Sequence, residues 1–137
     1  MTPTEVFHRA HAFVRQYDIR YADCFAEDGV LELPFARDPL PKRIQGRDAI
    51  RAILQPRYDA AKAAGRRIVE YRNLRIHETR DPEVIITEFE VIGVPRGAGL
   101  EPYALSFIHV LRVVGDQIAM QRDYFDSLAM AERLRVS

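Results

Sequence analysis

His109 and Asp123 are the residues of this chain whose types and places best suit acid/base chemistry. Read as a strand, Tyr103–Val114 carries Tyr103, Leu105, Phe107, His109, Leu111 and Val113 on one face, because successive strand side chains alternate. His109 thus interrupts an aromatic and aliphatic row, while Arg112 marks the opposite face as the solvated one. The next strand, Ile118–Phe125, offers either Ile118, Met120, Arg122 and Tyr124 or Ala119, Gln121, Asp123 and Phe125, and periodicity alone does not choose. A three-residue loop between the strands sets Asp123 opposite His109, whereas a tight two-residue turn sets Arg122 there instead. A carboxylate enclosed by apolar side chains has its charged form disfavoured and becomes a stronger base. A histidine donor beside it would fix its orientation and stabilise a developing enolate oxygen. The alternative is a satisfied buried polar pair that does no chemistry.

Other polar residues carry weaker signals. Tyr17 ends an apolar helical stripe and can either donate its hydroxyl into a pocket or cap a loop; Tyr103 and Tyr58 are candidates for a pocket mouth. Asp126 stands before a terminal helix, where capping is the expected role. Glu88 and Glu90 alternate with Phe89 and Val91, which puts the glutamates on the outer sheet face and Phe89 on the inner one. His8 and His11 lie three apart on the first helix without a third ligand at useful spacing, so both are read as surface histidines. His77 beside Glu78 reads as ordinary strand polarity. The chain has no Walker motif, Rossmann fingerprint or Cys/His cluster, so neither a nucleotide cofactor nor a metal is expected.

The elements that must position these groups follow from local pattern. Thr2-Pro3-Thr4-Glu5 is a capping box, and Val6, Phe7, Ala10, Phe13, Val14 and Tyr17 then recur at helical spacing. Asp18 caps a second short helix with Tyr21, Ala22, Cys24 and Phe25, which Gly29 should end. Val30–Phe35 reads as a first strand, followed by a loop with Pro39 and Pro41. A helix from Asp48 through Leu54 should kink or restart at Pro56 and finish at Gly65. Strands are predicted at Ile68–His77, Val84–Val94, Tyr103–Val114 and Ile118–Phe125, with a Gly/Pro loop at Gly93–Gly99, and a last helix carries Leu128, Ala131 and Leu134. Helices, a strand, a helix and then a strand meander indicate an α+β fold in one domain spanning residues 1–137.

Composition is consistent with that size. Apolar residues make up 47% of the chain, enough for a core without metal or disulfide support. Lys+Arg and Asp+Glu balance at 20 each with no basic block, so no footprint for nucleic acid or an anionic membrane is expected. Cys24 is the single cysteine and reads as a buried small hydrophobe in a reducing, cytoplasmic compartment. The first residues lack a secretory signature, and no apolar run approaches the ~18 residues of a membrane span.

Three stretches carry a family resemblance: Asp23–Pro34 (DCFAEDGVLELP), Gly46–Ile50 (GRDAI), and Val113–Ile118 (VVGDQI) with Arg122–Asp126 (RDYFD). In order and spacing they resemble the SnoaL-like, ketosteroid-isomerase-like branch of the nuclear-transport-factor-2-like superfamily. That resemblance implies a cone-shaped barrel, N-terminal helices on a curved, mostly antiparallel sheet enclosing a hydrophobic pocket, and frequently a homodimer. It puts Gln121, Asp123 and Phe125 on the cavity side; Tyr17, Leu33, Phe89, Tyr103, Phe107 and Leu111, on the helical stripe and the strands read above, are the further candidate ligand contacts. His109 and Asp123 resemble the His/Asp pair of SnoaL-like polyketide cyclases, in which the aspartate is the general acid/base of an aldol closure. Leu33 falls where a ketosteroid isomerase has its aspartate base and His109 near its second aspartate, so steroid isomerisation by that route is disfavoured.

The superfamily hosts several chemistries, so fold does not fix function. The first expectation is a cofactor-independent isomerase, cyclase or lyase acting on a small hydrophobic carbonyl compound through Asp123 and His109. The others are a non-catalytic ligand-binding module and a dimerisation domain.

Overall fold

The computed structural model describes residues 1–94 and 101–134. Helix α1, Pro3–Val14, starts from the reciprocal Thr2/Glu5 capping box with Pro3 at its first turn. Its buried residues are Val6, Phe7, Ala10 and His11, so the inward stripe includes a histidine that the sequence reading leaves at the surface. Asp18 accepts the Arg20 N–H at 3.0 Å and opens a 3₁₀ turn over Ile19–Cys24. Strand β1, Phe25–Glu32, follows at once.

The sequence places Gly29 at a helix end and the first strand at Val30–Phe35; the structure starts the strand five residues earlier and sets Gly29 within it. There the pairing of β1 shifts between Phe25 and Val30. A Cβ at Gly29 would stand 2.8 Å from the Ile118 carbonyl oxygen and 3.0 Å from that of Ala26. Backbone oxygens cannot swing aside as a side-chain tip can. Gly29→Ala is therefore expected to cost about 1–3 kcal/mol of stability, read as a lower urea midpoint at unchanged slope.

Strand β2, Arg43–Gln45, is a three-residue edge that the sequence reading does not anticipate. Helix α2, Arg47–Ala63, begins after Gly46, whose φ of 95° suits glycine, and runs through Pro56 without a break. Pro56 and Ala52, one turn earlier, are both exposed, so the carbonyl deprived of its donor faces water rather than the core. Gly65, at φ 73°, turns the chain out of the helix.

Strands β3 (Arg67–Glu78), β4 (Val84–Val94), β5 (Tyr103–Val114) and β6 (Gln117–Phe125) then form the meander, and helix α3 covers Ser127–Leu134. The Gly93–Gly99 loop falls largely on residues 95–100, which lie outside the described residues. The sheet order is β2-β1-β6-β5-β4-β3, antiparallel throughout except for the parallel β1–β6 pair. This is an α+β cone fold with a curved, unclosed sheet.

Burial alternates along β4 and largely along β5, as expected for strands with one face on a core. That core joins Val6 of α1, Phe25 of β1, Ile50 of α2 and Leu111 and Ile118 of the sheet. Cys24 is buried and free. Glu88 and Glu90 face outward, pairing with His77 (2.6 Å) and Arg72 (3.5 Å) on β3. Asp126 accepts the Ala129 N–H at 3.0 Å, a capping role for α3. Among the described residues no helix is long and apolar enough to cross a membrane.

Candidate active site

The β5–β6 register decides whether His109 can meet Asp123. The strands are joined by a tight turn at Gly115-Asp116, with Val114 opposite Gln117 and Val113 opposite Ile118. Continued without interruption, that register would bring Arg122 to His109. Between Val113 and Arg112 the pairing shifts by one residue, leaving Ala119 as the extra residue of a β-bulge. Past the bulge, Arg112 faces Met120 and His109 faces Asp123. The turn is thus the short one, and the bulge restores the pairing that the sequence reading ties to a longer loop.

The contact is direct. His109 Nε2 lies 2.6 Å from Asp123 Oδ1, and the two side chains are only 5% and 17% exposed. Gln121, two residues from Asp123 on the same strand face, donates its amide to the same oxygen at 3.0 Å. The Tyr21 hydroxyl hydrogen-bonds Gln121 in turn. Asp123 Oδ1 is therefore held from two sides, while Oδ2 has no hydrogen bond from any described residue.

Phe89 anchors the rings around this pair. Its cross-strand partner Phe107 stacks on it at 5.6 Å between centroids, and His109 meets it edge-on at 4.9 Å. Tyr71 and His11 approach Phe89 at 5.4 and 5.2 Å. Such edge-to-face contacts fix ring planes as well as filling space.

These rings form the floor of a cavity of about 330 Å³ between helices and sheet. His109, Asp123, Tyr17, Leu33, Phe89, Tyr103, Phe107, Gln121 and Phe125 all line it. Leu111 does not. It shares the inward face of β5, but it lies closer to the turn, paired with Ile85 and Gln121, where the core is filled; its exposure is 1%. Tyr58, Tyr71 and Tyr21 add further walls, and Arg57 and Arg66 also border the space. A shallower depression of about 500 Å³ on another face is bounded by Phe35, Ile108, Tyr124 and Leu128 and lacks the His/Asp pair.

Burial sets the character of the tyrosines. It pushes Tyr17 up to about 12 and raises Tyr58, Tyr71, Tyr21 and Tyr103 as well, so their hydroxyls stay protonated as donors at neutral pH. Tyr17 also holds a left-handed backbone, φ 51°, which costs a non-glycine residue about 1 kcal/mol or more. That turn directs its ring to Tyr58 at 5.8 Å and its hydroxyl to Tyr103.

The sequence reading misses several lining residues, Tyr21 and Tyr71 among them, and His11 is the one with a titratable ring beside His109. It is 5% exposed, lines the cavity and stacks on Phe7 at 4.2 Å. Burial, then the neighbouring His109 and His8, hold its pKa well below the ordinary histidine value. A signal was present: position 11 lies one turn after Phe7 and three residues before Val14, inside the apolar stripe itself. His8, by contrast, is exposed. Among the described residues no group of three or more His, Cys, Asp or Glu is arranged to hold a metal ion.

Comparison with known proteins bears on this geometry. A profile of the SnoaL-like domain matches residues 7–121. An uncharacterised PhzA/B-like protein of Pseudomonas aeruginosa is 30% identical over 137 residues, covering 98% of this chain and 91% of its own length. The crystal structure named "Putative Isomerase from Bacillus subtilis" is 25% identical with a TM-score of 0.81, covering 98% of this chain and 94% of that one. One named "putative polyketide cyclase" from Xanthomonas campestris has a TM-score of 0.70 at 19% identity over 96% of each chain, a likeness of fold.

Proposed function

The chain belongs to the SnoaL-like domain family, and we propose that it is a cofactor-independent enzyme doing acid/base chemistry on a small hydrophobic carbonyl compound. The observation that carries this reading is the 2.6 Å His109–Asp123 contact at the wall of an aromatic cavity. His109 and Gln121 hold Oδ1, which leaves Oδ2 of Asp123 as the proton acceptor. Asp123 removes a proton from the carbon beside the substrate carbonyl, and its carboxylic acid then returns that proton to another carbon in an isomerisation, to the new alkoxide oxygen in an aldol cyclisation, or to the departing group in an elimination. The isomerase and polyketide-cyclase names of the structural relatives accord with that reaction type. The buried, lone Cys24 fits a reducing, cytoplasmic setting.

The test is exchange of the α-protons of 2-tetralone in heavy water, followed by proton NMR. Exchange should run faster than in buffer and should depend on Asp123. Exchange at the buffer rate with the ketone demonstrably bound would favour a non-catalytic binding module.

We also propose that two copies associate through the outer sheet face. Phe35, Ile108 and Leu128 are 57%, 43% and 58% exposed around the shallow depression, a concentration of apolar surface that a monomer seldom leaves open. Sedimentation equilibrium should find a dimer that Ile108→Lys converts to monomer. A monomeric wild type at tens of micromolar, on the order of ordinary dimer affinities, would remove this proposal.

A further inference from the structure

Four buried polar atoms near the His/Asp pair have no hydrogen-bond partner among the described residues: both ring nitrogens of His11, Nδ1 of His109 and Oγ1 of Thr87. Thr87 and His109 are direct cross-strand partners on β4 and β5, and the His11 ring stands 5.0 Å from that of His109. Exposures of 0%, 4% and 5% for Thr87, His109 and His11 remove bulk water as a general partner. Buried polar groups are normally satisfied, and a cluster of unsatisfied ones on a cavity wall is the feature expected where a ligand supplies the missing partner.

The three side chains differ in what they can offer. His109 commits Nε2 to Asp123, which fixes its ring. Thr87 does not border the cavity, whereas His11 does. Tyr71 spends its hydroxyl on the His11 backbone carbonyl at 3.4 Å, and Tyr17 is bonded to Tyr103. His11 alone both borders the cavity and carries two unspent polar atoms, which lie buried just behind its wall, the ring clamped between Phe7 at 4.2 Å and Tyr71 at 5.3 Å.

We propose that His11 donates its ring N–H to the carbonyl oxygen of the substrate while Asp123 acts on the adjacent carbon. This rests on the acid/base reading of Asp123. In the step, the Asp123 carboxylate takes the proton of the carbon beside the carbonyl. The C–H electron pair forms the new C=C bond, and the C=O π pair moves onto oxygen, where the His11 N–H meets the developing charge. The carboxylic acid of Asp123 then returns the proton to an enolate carbon, so no further reactant is consumed. The same burial that leaves His11 without partners keeps its ring neutral near pH 7, with one nitrogen as donor. The substrate this predicts has an apolar body with its ketone or aldehyde oxygen placed toward α1.

The probe is 6-propionyl-2-(dimethylamino)naphthalene, an aryl ketone whose emission moves to the red when its carbonyl accepts a hydrogen bond. Binding is measured to the wild type, His11→Phe, His11→Gln and Tyr58→Phe, alongside thermal midpoints without ligand. His11→Phe should weaken binding by about ten-fold or more and shift the bound emission to the blue. Its midpoint should stay level or rise, because phenylalanine fills the ring-lined site without unsatisfied atoms. His11→Gln, which keeps a donor, should recover part of the red emission. Unchanged affinity and emission in His11→Phe would overturn the proposal. So would loss of the red emission in Tyr58→Phe instead, or binding lost only in step with a fallen midpoint. Asp123→Asn assayed in parallel separates the two readings: proton exchange that survives it sinks the base, while the emission result judges His11 alone.

Discussion

Asp123→Asn lowers the rate of α-proton exchange by about 10²–10⁴-fold while leaving the chain folded. The reason is local. Asparagine keeps the size of the side chain, and its Oδ1 can still accept from the Gln121 amide, now at 3.0 Å, and still face His109 Nε2, now at 2.6 Å. What disappears is the basic oxygen, because an amide cannot take the proton. The exchange of charge-assisted bonds for neutral ones costs on the order of 1 kcal/mol, a small fraction of the stability of a domain this size. Turnover and stability should therefore separate: exchange collapses, and the urea midpoint moves only slightly. A carboxylate that merely satisfies His109 would give the reverse pattern.

Phe89→Ala is expected to destabilise the protein by about 3 kcal/mol or more. Phe89 is 4% exposed and touches rings from α1, β3 and β5: Phe7 at 5.9 Å, Tyr71 at 5.4 Å and His109 at 4.9 Å. Removing it enlarges an existing cavity, and neighbours that span three elements cannot collapse into the space together. His11, 5.2 Å away, and His109 lose the ring that sets their planes. Proton exchange should fall by about ten-fold or more even though no reacting group has changed, since displaced catalytic groups lose their alignment. Urea unfolding and the same exchange assay read both effects. An unaltered midpoint would contradict the packing described for Phe89.

Much of this architecture is legible in local sequence. The β4 and β5 boundaries follow from alternation, strict in β4 and nearly so in β5, between turn residues, and the capping roles of Thr2, Asp18 and Asp126 follow from residue type beside an apolar run. What local pattern does not reveal depends on distant chain. The bulge at Ala119 arises in the pairing of β6 with β5 while β6 also lies parallel to β1, and neither segment alone signals it. Gly29 reads as a helix stop by type, yet the space it lacks is taken by the Ile118 carbonyl from the far end of the chain. Edge strand β2 has only three residues, too few for periodicity to register. Leu111 and His109 share a face, and only packing distinguishes the filled end from the open one. His11 was hidden by chemistry rather than distance: its spacing matched the stripe, but histidine is usually solvated.

Whether Asp123 is a working base inside the cavity can be read with 5-nitrobenzisoxazole, because its ring opens on loss of a single proton, with no other catalyst required. The wild type should open it with a rate that saturates in probe concentration, and Asp123→Asn, equally folded, should reduce this to the buffer rate. Equal rates in the two proteins would contradict that role.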